Sequence, residues 1–175
     1  MDKIQLAKEI YKVSHITGEF LLRSGQISNE YFDKYMFTSK PELLSAITDG
    51  LSVLLPKDTE VLAGLEMGAI PLAAALSLKT GIPATYVRKQ AKEYGTRKTA
   101  EGADVKGKKV CIIEDVVTTG GQILLSVKDL RDIGADVSSV ICVIQRNANA
   151  SEILAEQGLK LTPLLTMEYI KESIK

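Results

Sequence analysis

The amino-acid sequence predicts an α/β fold with a doubly wound, mostly parallel sheet flanked by helices. Short apolar runs alternate along the chain with segments of helical periodicity, which is the pattern of successive strand–helix–strand units. Residues 110–113 form a run without polar interruption, as expected for a strand buried on both faces of a parallel sheet. A length of 175 residues suits one domain with a sizeable core, so a single domain over residues 1–175 is expected.

The predicted elements follow from the spacing of apolar residues and from the turn residues between them. An amphipathic helix over 2–14 comes first, and a hairpin follows, with strands at 20–22 and 31–33 around a turn at 24–25. The remaining strands are expected at 60–63, 84–87, 110–113, 137–145 and 159–165. Helices are expected at 41–55, from the end of a tight loop at 64–71 through 78, and at 122–133, 151–157 and 166–174.

Composition and charge exclude several functional classes. The chain has 22 basic and 22 acidic residues, so no net charge favours nucleic acid or a membrane surface as a partner. Cys111 and Cys142 each lie inside an apolar run and are expected to be buried core residues. His15 is the only histidine, which excludes a multi-histidine metal site, and at a helix end it is predicted to be a surface or capping residue. No signal peptide is recognisable, so the expected compartment is the cytoplasm.

The segment after the central strand carries the most specific chemistry. Glu114 and Asp115 follow the apolar run directly, and a Thr/Gly loop at 118–121 leads into the next helix. Backbone N–H groups, hydroxyl groups and a helix N-terminus suit a phosphate, whereas the two acids suit vicinal hydroxyls, a cation or a developing positive charge. Together they indicate a ribose 5-phosphate site. The alternative is a turn whose Asp and Gly residues only cap the helix.

Three further segments are candidates for the same site. The loop at 64–71 lies between a strand and a helix, and Arg146 follows the strand at 137–145, so both belong at the edge of the sheet where ligands bind in open α/β folds. The segment at 88–102 contains five basic residues and no apolar stripe. Its composition alone favours a solvated surface loop, but its length is typical of a functional lid.

Four motifs resemble those of a known family in the same order along the chain. The stretch 109–121 resembles the phosphoribosyl-pyrophosphate (PRPP) motif of type I phosphoribosyltransferases. Within that group, residues 22–33 are similar to the N-terminal signature of orotate phosphoribosyltransferases, and Arg-Lys-x-x-Lys-x-x-Gly at 88–95 is similar to their mobile catalytic loop. The loop at 64–71 resembles their pyrophosphate loop, with Ala69 where a second glycine is frequent and without the lysine that some relatives carry near Met67 and Gly68.

The resemblance implies roles for individual residues. It implies a small N-terminal hood at about 1–40 and a mobile catalytic loop at about 88–102. The implied catalytic residues are Lys92, Glu114 and Asp115. Binding of PRPP is assigned to Arg88, Lys89, Lys92, Tyr94, Glu114, Asp115, Val116, Val117, Thr118, Thr119, Gly120 and Gly121. The pyrophosphate loop comprises Leu65, Glu66, Met67 and Gly68. Orotate binding is assigned to Arg23, Tyr31, Phe32, Thr118 and Arg146.

The resemblance also implies a reaction, in which orotate and PRPP give orotidine 5′-monophosphate and pyrophosphate. Mg²⁺ is the implied cofactor, held mainly by PRPP and water rather than directly by the protein. A homodimer is implied, in which the catalytic loop serves the neighbouring subunit. Two alternatives remain at this point: a phosphoribosyltransferase for another base, and a non-catalytic regulator that senses PRPP.

Overall fold

The computed structural model confirms the predicted α/β fold and describes residues 1–21, 25, 27–89 and 99–175. In chain order the elements are α1 (Lys3–Ser14), β1 (His15–Leu21), β2 (Ile27–Phe32), α2 (Tyr35–Thr38), α3 (Pro41–Leu54), β3 (Val61–Leu65), α4 (Ile70–Thr80), β4 (Ala84–Val87), β5 (Ala100–Gly102), β6 (Lys109–Val117), α5 (Gly121–Asp132), β7 (Asp136–Gln145), α6 (Asn149–Ala155), β8 (Lys160–Thr166) and α7 (Met167–Ser173).

The main sheet is parallel except at one edge. Its strand order is β5-β4-β3-β6-β7-β8, and only β5 runs antiparallel to its neighbour, β4. The chain therefore starts in the middle of the sheet, adds strands on one side, and then returns to the middle at β6. Ligands bind in open α/β sheets at the crevice beside such a reversal of strand order, outside the carboxyl ends of the strands. Here that crevice lies between β3 and β6.

Apolar side chains cover both faces of the sheet. On one face Leu62, Cys111 and Ile113 pack with helices α1 to α4 and α7. On the other face Ile112 and Val140 pack with α5 and α6. Both cysteines are buried and free, as predicted. Every residue of β3 and four consecutive residues of β6 are buried. These two strands therefore form a rigid base for the loops that follow their carboxyl ends.

The central strand is longer than the sequence predicts. Strand β6 does not stop before the acid pair but continues through Glu114 and Asp115 to Val117. The reason is pairing with β7, in which Glu114 lies opposite Cys142 and Val117 opposite Gln145. The prediction that the strand ends at residue 113 was therefore wrong, because a neighbouring strand satisfies the backbone of the acidic residues.

The region expected to form a hood, at about 1–40, contains a two-stranded antiparallel sheet of β1 and β2 that is separate from the main sheet, and we keep the name hood for this region. Both strands begin earlier than predicted, at His15 and Ile27, and the pairing has an irregularity between Thr17 and Phe20. Their residues are exposed or half-buried, so no alternation of apolar side chains marks them in the sequence.

Other differences are small and local. The short helix α2 and the three-residue strand β5 were not predicted, and β5 occupies part of the segment expected to be a loop through residue 102. Helix α6 begins at Asn149, two residues earlier than expected. Within the part of the chain that the structure describes, no helix has both the length and the apolar character needed to cross a bilayer.

Helix α4 offers a direct test of the described core. Leu76 is fully buried between the helix and the sheet, whereas Leu78 on the same helix is 90% exposed. We expect Leu76→Ala to lower the free energy of unfolding by about 2–5 kcal/mol, because it removes buried methyl groups and leaves a cavity. The matched variant Leu78→Ala is expected to change it by less than about 0.5 kcal/mol. Urea unfolding followed by circular dichroism measures both, and equal losses would contradict this packing.

Candidate active site

A pocket of about 280 Å³ opens at the carboxyl ends of β3 and β6. We call it the loop pocket, and it is lined by Lys34, Glu66, Lys89, Glu114, Val116, Val117, Thr118, Thr119, Gly120, Gly121, Gln122 and Ile123. Strand β6 delivers the chain to Thr118, and α5 begins at Gly121. Gly120 has φ +80°, a left-handed conformation that glycine adopts without strain, and so allows the chain to turn into the helix.

The start of α5 provides backbone donors at one wall of this pocket. Thr118 and Thr119 are exposed and Gly120 is buried, so the two hydroxyl groups lie at the mouth of the turn. The first N–H groups of a helix have no acceptor within the helix, and the helix dipole favours a negative charge at this end. A helix that begins at a Gly-Gly sequence therefore presents donors that fit a phosphate group.

The two acids at this strand end lie in different surroundings. Glu114 is half-buried and lines the loop pocket, whereas Asp115 is fully buried and is not among the lining residues. The backbone N–H of Asp115 donates a hydrogen bond of 2.9 Å to Glu114 Oε1. The backbone N–H of Val116 donates one of 2.6 Å to Asp115 Oδ1. The backbone of the strand thus holds both carboxylates in place.

Asp115 is paired with a lysine that the sequence interpretation did not include. Lys34 Nζ lies 2.9 Å from Asp115 Oδ2 and 3.1 Å from Asp115 Oδ1. Lys34 follows Asp33 at the end of the hood signature, and α2 begins at the next residue. The only signal for Lys34 in the sequence is its position directly after that signature. No local pattern links Lys34 to Asp115, because the two residues are 81 positions apart.

Burial and charge determine the protonation of this cluster. Burial is the largest cause that raises the pKa of Glu114 well above its usual value of 4.5, and the side chain of Asp115 adds to it through its hydrogen bond and its charge. The backbone N–H of Asp115 and the charge of Lys34 act in the opposite direction but do not outweigh these causes. Burial of Lys34 acts to lower its pKa, but the carboxylates of Asp115 and Glu114 outweigh burial and raise the pKa above 10.5. Lys34 therefore stays charged at neutral pH, and Glu114 retains a proton to a higher pH than an exposed glutamate.

The loop between β3 and α4 closes the pocket from one side. Leu65 is buried at the end of β3, and Glu66 Oε1 accepts a hydrogen bond of 2.6 Å from the backbone N–H of Lys89. This bond ties the loop to the residues that follow β4. Gly68 lies directly against the acid cluster, since a Cβ atom at that position would overlap Asp115 Oδ2. Only glycine allows the loop to come this close.

A second pocket, of about 220 Å³, lies under the hood. We call it the hood pocket, and it is lined by Tyr11, His15, Ser28, Glu30, Tyr31, Phe32, Arg146, Met167 and Lys171. The structure thus brings Tyr31, Phe32 and Arg146 together, three of the residues assigned to one ligand by resemblance. Thr118, assigned to the same ligand, lines the loop pocket instead.

His15 links the hood to the first helix. Its backbone N–H caps α1 by donating to the carbonyl of Tyr11, which agrees with the predicted capping position. Its ring stacks on the ring of Tyr11 with centroids 4.6 Å apart, and Nε2 lies 2.8 Å from Glu30 Oε2. That hydrogen bond is the largest cause that lowers the pKa of Glu30. The side chain of His15 also lines the hood pocket, which its position at a helix end did not predict.

The other predicted site residues divide into two groups. Lys89 lines the loop pocket, and Arg88 precedes it, with its backbone N–H bonded to the carbonyl of Thr99. Val116 and Val117 lie in β6, where Val117 is buried in the core. Arg23, Lys92 and Tyr94 lie outside the residues that the structure describes.

The side chains of the described residues offer few ligands for Mg²⁺, the cofactor that the family resemblance implies. In residues 1–21, 25, 27–89 and 99–175 there is no group of three or more side chains of the types that ligate metals. Mg²⁺ prefers six oxygen ligands and keeps several waters when it is bound with a phosphorylated substrate. The described residues therefore offer no preformed group of three such side chains for the ion.

Fold and site together define a class of protein, namely an α/β protein with a mostly parallel sheet, in which a Thr/Gly loop at a helix N-terminus lies beside carboxyl groups at the reversal of strand order. Comparison with known proteins agrees with this class. Residues 39–161 match the family model described as phosphoribosyl transferase domain. A curated orotate phosphoribosyltransferase of Nocardioides sp. is 50% identical over 161 residues, covering 92% of this chain and 90% of the relative. One of Methanopyrus kandleri is 40% identical, covering 98% and 93%.

Solved structures give the same result. The crystal structure of Mycobacterium tuberculosis orotate phosphoribosyltransferase with Fe(III) dicitrate matches with a TM-score of 0.87 at 31% identity, covering 97% of this chain and 99% of that one. The structure of that enzyme with PRPP matches with a TM-score of 0.83 at 29% identity, covering 98% and 99%. This chain belongs to the orotate phosphoribosyltransferases, within the phosphoribosyl transferase domain family.

The raised pKa of Glu114 leads to a prediction about stability and pH. A carboxyl group with a pKa above its unfolded value binds its proton more tightly in the folded state, so stability falls as pH rises from about 4.5 through the folded pKa. We expect Glu114→Gln to remove this loss. Its melting temperature should match that of the unsubstituted protein near pH 4 and exceed it near pH 8, by roughly 2–4 °C for each kcal/mol recovered.

The matched control is Glu156→Gln, which alters an exposed carboxylate just after α6. Its melting temperature should follow that of the unsubstituted protein across the same pH range. Differential scanning fluorimetry at a series of pH values measures both variants. An effect of Glu114→Gln that does not grow with pH would contradict a raised pKa of Glu114 in the folded state.

Proposed function

We propose that the protein transfers the 5-phosphoribosyl group from PRPP to orotate, giving orotidine 5′-monophosphate and pyrophosphate in pyrimidine (UMP) biosynthesis. The observation that carries this proposal is the loop pocket, in which a helix N-terminus with two threonines lies beside the carboxylate of Glu114. A phosphate and the hydroxyls of a ribose fit that combination. The similarity over nearly the whole chain to orotate phosphoribosyltransferases supports the choice of orotate as the acceptor.

The proposed roles follow the charge that develops during the reaction. Displacement at the anomeric carbon builds positive charge on the ribose and negative charge on the leaving pyrophosphate. Residues 118–121 fix the 5-phosphate, with the backbone of Val116 and Val117 shaping the approach. Glu114 holds the ribose hydroxyls, and the fully buried Asp115 adds negative charge from within the protein. Electrostatic stabilisation of this kind often contributes more to catalysis than any other single effect.

The leaving group is assigned to the opposite wall of the pocket. Residues 65–68 form the pyrophosphate loop, and Arg88, Lys89, Lys92 and Tyr94 contribute from the segment after β4. Bound with PRPP, Mg²⁺ supplies positive charge to the pyrophosphate oxygens. Closure of the basic segment would exclude water, which otherwise hydrolyses an activated ribose. Lys92 is also proposed to assist proton transfer to the leaving group.

Orotate is assigned to the hood pocket and to its junction with the loop pocket. Arg146 offers a planar pair of donors that matches a carboxylate. Tyr31 and Phe32 line the same pocket, and Arg23 and Thr118 complete the proposed set. The backbone N–H of Arg146, which lines the hood pocket, donates to the carbonyl of Val117, which lines the loop pocket. We propose that an acceptor in the hood pocket reaches a phosphorylated ribose in the loop pocket at this point.

The assembly and the compartment remain proposals. We propose a homodimer in which the catalytic loop of one subunit serves the site of the other, as the family resemblance implies. We also propose the cytoplasm as the compartment. The balanced charge of 22 basic and 22 acidic residues does not favour nucleic acid or a membrane surface as a partner.

The ultraviolet absorbance of orotate tests the reaction directly. After PRPP and Mg²⁺ are added to purified protein, we expect a loss of absorbance that requires the protein and stops when either PRPP or Mg²⁺ is omitted. An unchanged signal with PRPP binding still seen by calorimetry would favour another base or a PRPP-sensing regulator, and a panel of bases would separate those two. An unchanged signal without PRPP binding would overturn the assignment of the loop pocket.

Lys92 provides the sharpest test of the proposed chemistry. We expect Lys92→Ala to lower kcat by about 100-fold or more, the range typical of a lost general acid or base, with little change in the KM for orotate. The control is Lys98→Ala, which removes a charge from the same basic segment at a position without a proposed role. Steady-state kinetics measure both variants. Unchanged turnover of Lys92→Ala would remove Lys92 from the mechanism.

A further inference from the structure

The carboxylate of Asp115 is covered on every side that faces the loop pocket. Its exposed fraction is 0%, Lys34 Nζ lies 2.9 Å from Oδ2, and the backbone N–H of Val116 lies 2.6 Å from Oδ1. Gly68 lies so close to Oδ2 that even a methyl group would not fit between them. A ligand in the pocket therefore meets Lys34 before it meets Asp115. The side chain of Lys34 is 37% exposed and lines the pocket.

The pyrophosphate loop lacks positive charge of its own. Met67 is uncharged and 61% exposed, and its neighbour Glu66 is an acid that lines the pocket. A ligand that carries several phosphate charges needs compensating cations at this wall. Lys34 Nζ is separated from Gly68 by a single carboxylate oxygen, Oδ2 of Asp115. The ammonium group of Lys34, which belongs to the hood, therefore lies beside the pyrophosphate loop, which has no positive charge of its own.

The geometry leaves this ammonium group able to bind a ligand. A lysine side chain has three N–H donors, and the contacts with the two oxygens of Asp115 occupy at most two of them. The neighbouring Tyr35 ring has its centroid 5.6 Å from Nζ, which shields the group on another side. The charge persists at neutral pH, because burial lowers the pKa of Lys34 by less than the carboxylates of Asp115 and Glu114 raise it.

We propose that Lys34 is a further substrate-binding residue, which contacts the phosphate oxygens of PRPP beside the pyrophosphate loop and supplies the positive charge that Met67 does not. Asp115 is then a positioning residue, which holds the ammonium group at this point. The inference rests on the proposed function, because it takes PRPP as the occupant of the loop pocket.

The test compares Lys34→Met and Lys34→Arg with the control Lys108→Met. Lys108 forms an exposed ion pair of 3.0 Å with Glu60, at the opposite ends of the strands, and has no proposed role in the site. We expect Lys34→Met to raise both the Kd for PRPP, measured by calorimetry without orotate, and the KM for PRPP by about tenfold or more, as for the loss of one charge-assisted hydrogen bond. Lys34→Arg should keep most of the affinity, and the control should keep all of it.

A purely structural role for Lys34 predicts a different pattern. If the lysine only neutralised Asp115, Lys34→Met would lower the melting temperature and raise the KM values for PRPP and orotate by similar factors. That pattern, or a Kd for PRPP within twofold of the unsubstituted protein, would overturn the proposal. Should Lys34→Met fail to fold, Lys34→Gln retains a donor toward Asp115 without the charge, and the same comparison of Kd values decides.

A compensating substitution tests the link to the pyrophosphate loop. Because Met67 is exposed, a lysine fits there, and we expect Met67→Lys to recover part of the PRPP affinity lost in Lys34→Met. Absence of any recovery would show that the two positions do not supply the same charge. Turnover of orotate by the unsubstituted protein separates the failure of this inference from the failure of the proposed function. If the unsubstituted protein does not turn over orotate, the proposed function fails. If it does, a negative result at Lys34 removes only the role proposed for Lys34.

Discussion

The site depends on one costly arrangement, a fully buried aspartate next to a second carboxylate at the end of a central strand. Burial of an unpaired carboxylate is strongly unfavourable, and two adjacent carboxylates repel each other as well. At Asp115 the ammonium group of Lys34 and the backbone N–H of Val116 offset the unfavourable burial of the charge. At Glu114 the raised pKa favours the uncharged form of the side chain. Each solution constrains a different part of the fold.

Several features follow from this arrangement. The loop after β3 must carry glycine at position 68, because no side chain fits against Asp115. The ion pair of Lys34 with Asp115 also connects the hood to the end of β6 in the main sheet. The acid pair also affects Cys142 on the next strand. Burial is the largest cause that raises the pKa of its thiol, and the charges of Glu114 and Asp115 add to it. A thiol in these surroundings is a packing residue and not a nucleophile.

Local patterns explain which parts of this structure the sequence predicts. The order of strand, Thr/Gly loop and helix at β6 and α5 depends on neighbours a few residues apart, and the apolar period of α5 marks its buried face. The hood strands β1 and β2 have no such mark, since their residues are exposed or half-buried and the strands are held by pairing with each other. The extension of β6 through the acids likewise depends on β7, which comes later in the chain.

The lysine shows most clearly what a sequence pattern leaves out. A motif describes charge by position along the chain. By that description, the absence of a lysine near Met67 indicates that the site lacks a positive charge. A phosphate group responds only to charge at a point in space, and the strength of that interaction depends on distance and surroundings, not on chain order. Lys34 comes from a different structural unit and reaches the same region through a buried carboxylate. The proposed role of Lys34 therefore connects the uncharged Met67 of the loop with the buried carboxylate of Asp115 at the end of β6.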